Sequence, residues 1–304
     1  MVIKNFEEMK ERLLAAPEKK KVAVVSAADE HTLEAVVHAA NDGLIEPILI
    51  GPETEVREIL AGLGAKEDYR IISIEDPVEC VEKACEMVHA GQIDCIMKGK
   101  LETGTLMKVL VNKEKGIRKN KVMSILGFMD SPYYHKVFAV TDVGLLTYPN
   151  EEQKVGEIIN AVNAFHALGY ENPKVAILAA VEKVNPKMPE TVDADNIKKM
   201  NLPGCIVEGP ISLDLAMDPE SAKIKGYESP VAGDPDILVA PDIVSGNIAA
   251  KTLTVLGGAR TGGTVLGAEV PVLLVSRAAT ADDKYMSIVV SCLVSGNGMK
   301  QAEK

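Results

Sequence analysis

The sequence of 304 residues contains no tryptophan, and aromatic residues make up only 4% of it. Single-stranded nucleic acids bind on aromatic side chains that stack with bases, so this composition argues against that function. No apolar run approaches the roughly 18 residues that a membrane-spanning helix needs. Residues 1–14 carry several charged side chains where a signal peptide would require an apolar core. We therefore expect a protein of the cytoplasm that does not act at a membrane.

Metal and disulfide signatures are also missing. The cysteines are odd in number and scattered, without a CxxC pair, which argues against a disulfide framework or a zinc site. The histidines show no metal-ligand spacing, so we expect no metal. A GxGxxG fingerprint after a strand and a GxSxG elbow are both absent, so a nicotinamide dinucleotide site and a hydrolase nucleophile lack their usual support. The cysteines are Cys80, Cys85, Cys95, Cys205 and Cys292.

The residues that are present indicate a globular protein. Hydrophobic residues make up 47% of the chain and charged residues 25%, and the formal net charge is −11. Such a charge repels nucleic acids and anionic membranes. At about 150 residues per domain, the length suggests two domains. We therefore expect small-molecule substrates and no nucleic acid or membrane partner.

Short aliphatic runs alternate with amphipathic segments along the chain, which predicts an α/β fold with mostly parallel sheets in three-layer α/β/α domains. A charged stretch at 112–121 interrupts the pattern, and the last strand and helix are predicted to return to the first domain. We therefore predict one domain at 1–119 plus 266–304 and a second at 120–265. The predicted strands are 22–26, 46–50, 71–74, 95–97, 122–128, 136–141, 175–180, 205–207, 237–240, 264–266 and 270–275, and the main helices are 32–41, 55–61, 78–89, 151–168 and 282–295.

The last strand, turn and helix of the chain form a candidate catalytic segment. Ser276 and Arg277 directly follow the predicted strand 270–275. Ligands of parallel sheets collect beyond the carboxyl ends of strands, and the start of a following helix favours an anion there. Asp283 lies three residues after Thr280, which is the spacing of a helix capping box. From the residues alone, Asp283 is either a cap or a site residue, and Arg277 forms either a surface ion pair or an anion contact.

A second candidate segment surrounds a glycine turn after the predicted strand 95–97. Lysines and threonines lie close to the start of a predicted helix, a layout that suits a phosphoryl oxygen. The GxxxxGK[ST] spacing of a P-loop is missing. The alternative is that each lysine is simply solvated. The candidate binding residues are Lys98, Gly99, Lys100, Thr103 and Lys108.

Two further turns provide candidate pocket residues. Gly209 and Pro210 follow the predicted strand 205–207 and suggest a tight loop at its carboxyl end. The segment 241–247, after the strand 237–240, is interpreted as a loop in which Asn247 either caps a helix or lines a crevice. Asp218 precedes a proline and is predicted to cap a helix.

Residues 205–283 resemble the phosphate acyltransferases, which comprise phosphate acetyltransferases and phosphate butyryltransferases. Further segments, 97–99, 134–136, 151–155 and 181–189, look like the butyryl branch. The motifs that carry the resemblance, in order along the chain, are Glu208-Gly209-Pro210, Pro230-Val231-Ala232-Gly233, Pro241-Asp242 with Gly246-Asn247, Leu256-Gly257-Gly258-Ala259 and Ser276-Arg277.

The resemblance implies a two-domain fold of the isocitrate dehydrogenase type with the active site in the interdomain cleft. It implies reversible conversion of an acyl-CoA and phosphate into CoA and an acyl phosphate, without a cofactor. By position, Ser276 and Arg277 correspond to the family's phosphate-binding pair, and Asp283 to the aspartate proposed to deprotonate the CoA thiol. The family also implies a homo-oligomer built on dimers.

Three alternatives accompany this interpretation. Phosphate acetyltransferase is the same chemistry with a smaller acyl pocket. A nicotinamide-dependent 2-hydroxyacid dehydrogenase would use a similar fold, although its dinucleotide fingerprint is missing. A CoA-binding module without catalysis is disfavoured because Ser276, Arg277 and Asp283 are all present.

Overall fold

The computed structural model describes residues 2–65, 68–276 and 279–296. The chain divides into two compact units. The flanking unit contains Phe6–Lys121 and the described residues from Gly262 onward, and the central unit contains Val122–Thr261 with the described residues before Phe6. No helix in the described ranges combines the length and the apolar character that crossing a bilayer would require.

The flanking unit is built from a sheet whose strands follow the order β3-β2-β1-β4-β11-β10. Its neighbouring strands pair in parallel, except that β10 and β11 are antiparallel. Its helices are α1 (Phe6–Leu14), α2 (Glu30–Asn41), α3 (Glu53–Gly62), α4 (Pro77–His89), α5 (Thr103–Leu110) and α11 (Ala281–Val294). Its strands are β1 (Lys20–Val25), β2 (Ile45–Gly51), β3 (Arg70–Ser73), β4 (Cys95–Lys98), β10 (Arg260–Leu266) and β11 (Val272–Leu273).

The centre of this sheet explains why its strands are recognisable in the sequence. Strand β1 pairs with β2 on one side and β4 on the other, and its last four residues are buried. A strand covered on both faces reads as a continuous aliphatic run rather than an alternating one. Strand β11 is an exception, because it contains only two of the residues predicted at 270–275. Residues 274–276 have no regular secondary structure.

The central unit contains a sheet with the strand order β5-β6-β9-β7-β8. Strands β5 and β6 are antiparallel, and the remaining neighbours are parallel. Its strands are β5 (Ser124–Asp130), β6 (Phe138–Thr141), β7 (Lys174–Leu178), β8 (Ile206–Ile211) and β9 (Ile237–Val239). Its helices are α6 (Glu151–Ala167), α7 (Pro189–Lys199), α8 (Leu213–Met217), α9 (Pro219–Ile224) and α10 (Ile243–Val255). Each unit is therefore mixed α/β with a mostly parallel sheet, as the alternation of strand and helix patterns predicts.

The unit boundaries fall at Lys121/Val122 and Thr261/Gly262, whereas the sequence placed them after residues 119 and 265. The residues before Phe6 also belong to the central unit rather than to the first domain. Ile3 explains this difference: its N–H donates to the Tyr170 hydroxyl at 2.9 Å, and its carbonyl accepts from Val137 N at 2.9 Å. These long-range hydrogen bonds fix the start of the chain on the central unit.

Candidate active site

A cavity of about 380 Å³ lies within the flanking unit, beyond the carboxyl ends of β1, β4 and β11. This is the position at which parallel sheets bind ligands. It brings together four of the predicted site residues, which come from two separate segments of the chain. These four are Lys98, Gly99, Lys100 and Ser276, and the remaining lining residues are Asp29, His31, Thr32, Met97, Leu101, Glu102, Val275 and Lys284.

Gly99 allows the loop after β4 to lie directly against the end of β1. Its N–H donates to Val25 O at 2.9 Å, and Lys100 N donates to Ser26 O at 2.8 Å. A Cβ at position 99 would overlap the Ser26 carbonyl oxygen and lie 2.9 Å from Val25 O. Glycine is required here by this close approach of two backbones.

The two lysines that flank Gly99 differ in their surroundings. The Lys98 ammonium donates to Leu101 O at 3.0 Å and to Gly99 O at 3.3 Å, so it braces the loop that contains it. Lys100 is exposed and lines the cavity. Lys100 is therefore better placed than Lys98 to reach an anion that enters the cavity.

The other predicted residues of this segment lie on α5, outside the cavity lining. Thr103 is the first residue of the helix and Lys108 is in its last turn, and both are exposed. At a rise of about 1.5 Å per residue, the two positions are separated by roughly one and a half turns. Lys108 is located where the negative end of the helix dipole stabilises a cation. Among the residues the structure describes, the cavity contains Lys98 and Lys100 but neither Thr103 nor Lys108.

The second candidate segment contains Ser276, Arg277 and Asp283. Ser276 is exposed, lines the cavity and accepts a hydrogen bond from Ala279 N at 3.0 Å through its carbonyl. Arg277 lies outside the described residues. Asp283 N donates to Thr280 Oγ1 at 3.1 Å, and Thr280 N donates to Asp283 Oδ2 at 3.0 Å. This reciprocal pair confirms the predicted capping box at the start of α11, and the role of Asp283 as a base stays a prediction.

Sequence reasoning missed the contribution of the segment after β1. Asp29, His31 and Thr32 line the cavity, and Asp29 Oδ2 accepts a hydrogen bond from Thr32 Oγ1 at 3.1 Å. The signal was available, because β1 and β4 are adjacent parallel strands and their carboxyl ends meet at one edge of the sheet. Lys284 was also missed, since it is a charged residue directly before the apolar stripe of α11.

In the central unit, Gly209 and Pro210 lie within strand β8, so the prediction of a loop at these positions is wrong. Strand β8 is at the edge of its sheet, where a residue without an N–H is tolerated. A Cβ on Gly209 would lie 2.9 Å from the Ile177 Cβ and 3.2 Å from the Ala194 Cβ. Gly209 therefore lets α7 pack closely over the edge of the sheet.

The interpretation of 241–247 as a loop is also wrong, because α10 begins at Ile243. Its N-cap is Asp242, whose Oδ1 accepts from Ser245 N at 2.9 Å. Of the two alternatives for Asn247, capping the helix is therefore wrong, and lining a crevice stays a prediction. Asn247 Nδ2 donates to Val143 O at 3.0 Å and fixes the turn after β6. Gly246 obscured the helix in the sequence, since glycine usually interrupts helices. A Cβ there would overlap the carbonyl oxygen of Asp142.

Asp142 organises the same turn. Its carboxylate accepts hydrogen bonds from Ile125 N at 2.7 Å, Gly144 N at 2.7 Å and Leu145 N at 2.6 Å. Burial raises the pKa of Asp142, and these N–H groups oppose that rise. The Asn247–Val143 bond and the Asp142 bonds together shape residues 142–145 within the central unit.

Comparison with known proteins shows to which family this chain belongs. Residues 74–292 match the family of phosphate acetyl/butaryl transferases. The chain belongs to the phosphate acetyl/butyryl transferase family. The phosphate butyryltransferase of Clostridium acetobutylicum is 39% identical over 301 residues, which cover 97% of this chain and 100% of that protein. The phosphate acetyltransferase of Thermotoga maritima is 42% identical over 278 residues, which cover 90% of this chain and 95% of that protein.

The fold of this phosphate acetyl/butyryl transferase family member also has a solved counterpart. A branched-chain phosphotransacylase from Enterococcus faecalis V583 superposes with a TM-score of 0.80 at 28% identity, covering 91% of this chain and 99% of that one. The family expectation drawn from the motifs is therefore confirmed.

Proposed function

We propose that this protein catalyses the reversible transfer of a butyryl or similarly short acyl group between coenzyme A and inorganic phosphate. The observation that carries the proposal is a cavity that gathers Ser276, Lys98 and Lys100 in a member of this transferase family. Both substrates are anionic, and a cavity with ammonium groups and the start of a helix favours phosphate oxygens.

In the direction from CoA and acyl phosphate to the thioester, the proposed reaction is a direct attack within a ternary complex. A thiol with a pKa near 8.5 is mostly protonated at neutral pH, so a base raises its nucleophilicity. Asp283 takes the thiol proton, the sulfur bonds to the acyl carbon, and the bond from that carbon to the phosphate oxygen breaks. Ser276 and Arg277 hold the phosphoryl group and stabilise the developing charge. The products are the thioester and phosphate, which receives the proton.

Lys100 is our preferred lysine for the substrate oxyanion. The Lys98 ammonium donates to two loop carbonyls, whereas Lys100 is exposed at the same cavity. Lys98 then positions the loop that presents Lys100. This proposal needs no cofactor, because acyl transfer moves neither a hydride nor an electron and CoA enters as a substrate.

The acyl preference is tested by measuring thiol release from acetyl-CoA and butyryl-CoA in the presence of phosphate. Phosphate acetyltransferase is the second candidate, favoured by the 42% identity to the Thermotoga maritima enzyme. One or two methylene groups in an apolar pocket are worth only about 1–3 kcal/mol, so activity on both substrates is expected, with the larger kcat/KM for butyryl-CoA. Failure to release thiol from either substrate would contradict the proposed function. An absorbance change with NAD and a 2-hydroxy acid would indicate a dehydrogenase instead.

A homo-oligomer built on dimers and a cytoplasmic location remain part of the proposal, as does a domain arrangement of the isocitrate dehydrogenase type. Self-association is supported by exposed apolar side chains of α10 that are four and seven residues apart on one side of the helix. Val244 is 50% exposed, Ile248 60% and Val255 78%. Ile248→Asp should therefore lower the molar mass measured by light scattering, and an unchanged mass would rule out this face. The cysteines are free thiols, which suits a reducing compartment.

A further inference from the structure

Lys284 is a buried cation at the cavity that contains Ser276. It is the fourth residue of α11, directly after Asp283, and only 7% of the residue is exposed. It lines the cavity together with Lys98 and Lys100. Its position is thus unlike that of a surface lysine, whose ammonium is normally solvated.

The contacts of Lys284 leave its charge without a carboxylate partner in the described ranges 2–65, 68–276 and 279–296. Its ammonium donates to Ala279 O at 3.4 Å, a long hydrogen bond to a residue that precedes the helix. Asp29 also lines the cavity, and its carboxylate accepts a hydrogen bond from Thr32 Oγ1 at 3.1 Å. A buried ammonium without a counter-charge costs stability, so its presence beside a cavity indicates an anionic ligand.

We propose that Lys284 is a substrate-binding residue whose ammonium contacts a phosphate oxyanion in this cavity. The inference rests on the proposed function, which supplies phosphate-bearing substrates. The first turn of α11 ends beside Lys284 and adds its positive dipole to the charges of Lys98 and Lys100. The oxyanion belongs either to inorganic phosphate and the acyl phosphate formed from it, or to the phosphates of CoA.

The test compares two neutral variants with wild type. Lys284→Met keeps the length and apolar stem of the side chain, and Lys284→Gln keeps a donor for the Ala279 carbonyl, so a second folded variant is available if one fails. Lys113→Met, at an exposed position outside the cavity lining, is the control. Thermal melts establish that each variant is folded. Loss of a charged hydrogen bond predicts a rise of about 10- to 100-fold in one KM, and no such change in the control.

Two assay series distinguish the source of the oxyanion. Phosphate is varied at saturating butyryl-CoA, and butyryl-CoA is varied at saturating phosphate. A raised KM for phosphate assigns Lys284 to the inorganic phosphate site. A raised KM for butyryl-CoA that disappears with butyryl-pantetheine, which lacks phosphates, assigns Lys284 to CoA. Either result supports the inference.

The inference is overturned if both KM values of a folded Lys284→Met or Lys284→Gln variant stay within twofold of wild type. If the wild-type protein releases no thiol from any short acyl-CoA, the proposed function itself is wrong. In that case the melting temperature with and without inorganic phosphate tests Lys284 directly. A phosphate-induced rise that is smaller in Lys284→Met than in wild type supports the inference, and equal responses overturn it.

Discussion

Replacing Gly99 by alanine should separate the loop after β4 from the end of β1. The added Cβ would overlap the Ser26 carbonyl oxygen and lie 2.9 Å from Val25 O, and both atoms are backbone atoms that cannot rotate away. The loop must therefore move, which disrupts the hydrogen bonds from Gly99 N to Val25 O and from Lys100 N to Ser26 O.

The magnitude follows from these contacts. Two backbone hydrogen bonds contribute about 1 kcal/mol each, and the steric overlap adds at least about 1 kcal/mol. We therefore expect Gly99→Ala to lower the free energy of unfolding by about 3 kcal/mol. A displacement of about 1 Å at Lys98 and Lys100 should also lower kcat/KM roughly 100-fold.

Gly104 provides a matched control four residues beyond Lys100, on α5. A Cβ at Gly104 meets no atom within 4 Å. Gly104→Ala should raise the free energy of unfolding by about 0.5–1 kcal/mol, because alanine favours a helix. Stability is measured by urea unfolding followed by far-UV circular dichroism, since the protein has no tryptophan to report fluorescence. Activity is measured by thiol release. The steric argument fails if the two variants are equally stable, or if Gly99→Ala retains wild-type kcat/KM.

Four further substitutions address the remaining site and one ion pair. Arg277→Ala should lose about 3 kcal/mol of transition-state stabilisation in kcat/KM if it clamps the reacting phosphate, and near-normal turnover would remove that assignment. Asp283→Asn should lower kcat about 100-fold or more, while the free energy of unfolding changes little. Thr280→Ala, in contrast, should lower the free energy of unfolding by about 1 kcal/mol. If the two variants have equal kcat values, Asp283 acts only as a helix cap. A hydrogen bond from Lys10 lowers the pKa of Asp42 in the folded state. Ionised Asp42 therefore stabilises the fold at pH values above the ordinary aspartate pKa, and this stabilisation is lost as the pH falls through the lower, folded-state pKa. Asp42→Asn should therefore unfold at lower urea concentration than wild type at pH 7, with the difference shrinking toward pH 3, and a constant difference would contradict this.

The location of the cavity could be predicted from sequence because strand ends are local signals. Buried parallel strands such as β1 and β4 read as aliphatic runs, and parallel sheets bind ligands beyond their carboxyl ends. Ser276, Lys98 and Lys100 follow directly from this rule. The rule applied equally to β1 would have identified Asp29 and its neighbours.

The errors arise where tertiary contacts overrule local preferences. Gly246 reads as a helix breaker, yet it is needed where α10 passes the Asp142 carbonyl. Pro210 reads as a loop residue, yet the edge position of β8 accommodates it. Lys284 was hidden because helical periodicity records which residues are apolar, not which charged residue is buried among them. Positions of this kind depend on neighbours that are distant in sequence.

The distribution of charge leads to one last expectation. The chain carries a formal charge of −11, so most of its surface repels phosphate and CoA. The cavity reverses this sign locally, because its lining carries three lysines, Lys98, Lys100 and Lys284, against the two carboxylates of Asp29 and Glu102. Salt screens the exposed ammonium of Lys100 strongly, because the Debye length falls from about 10 Å at 0.1 M to about 3 Å at 1 M. Raising the potassium chloride concentration from 0.05 to 0.5 M should therefore raise the KM for phosphate severalfold, with a smaller rise in Lys100→Met. If the KM is independent of salt in both proteins, the lysines of the cavity do not attract the substrate.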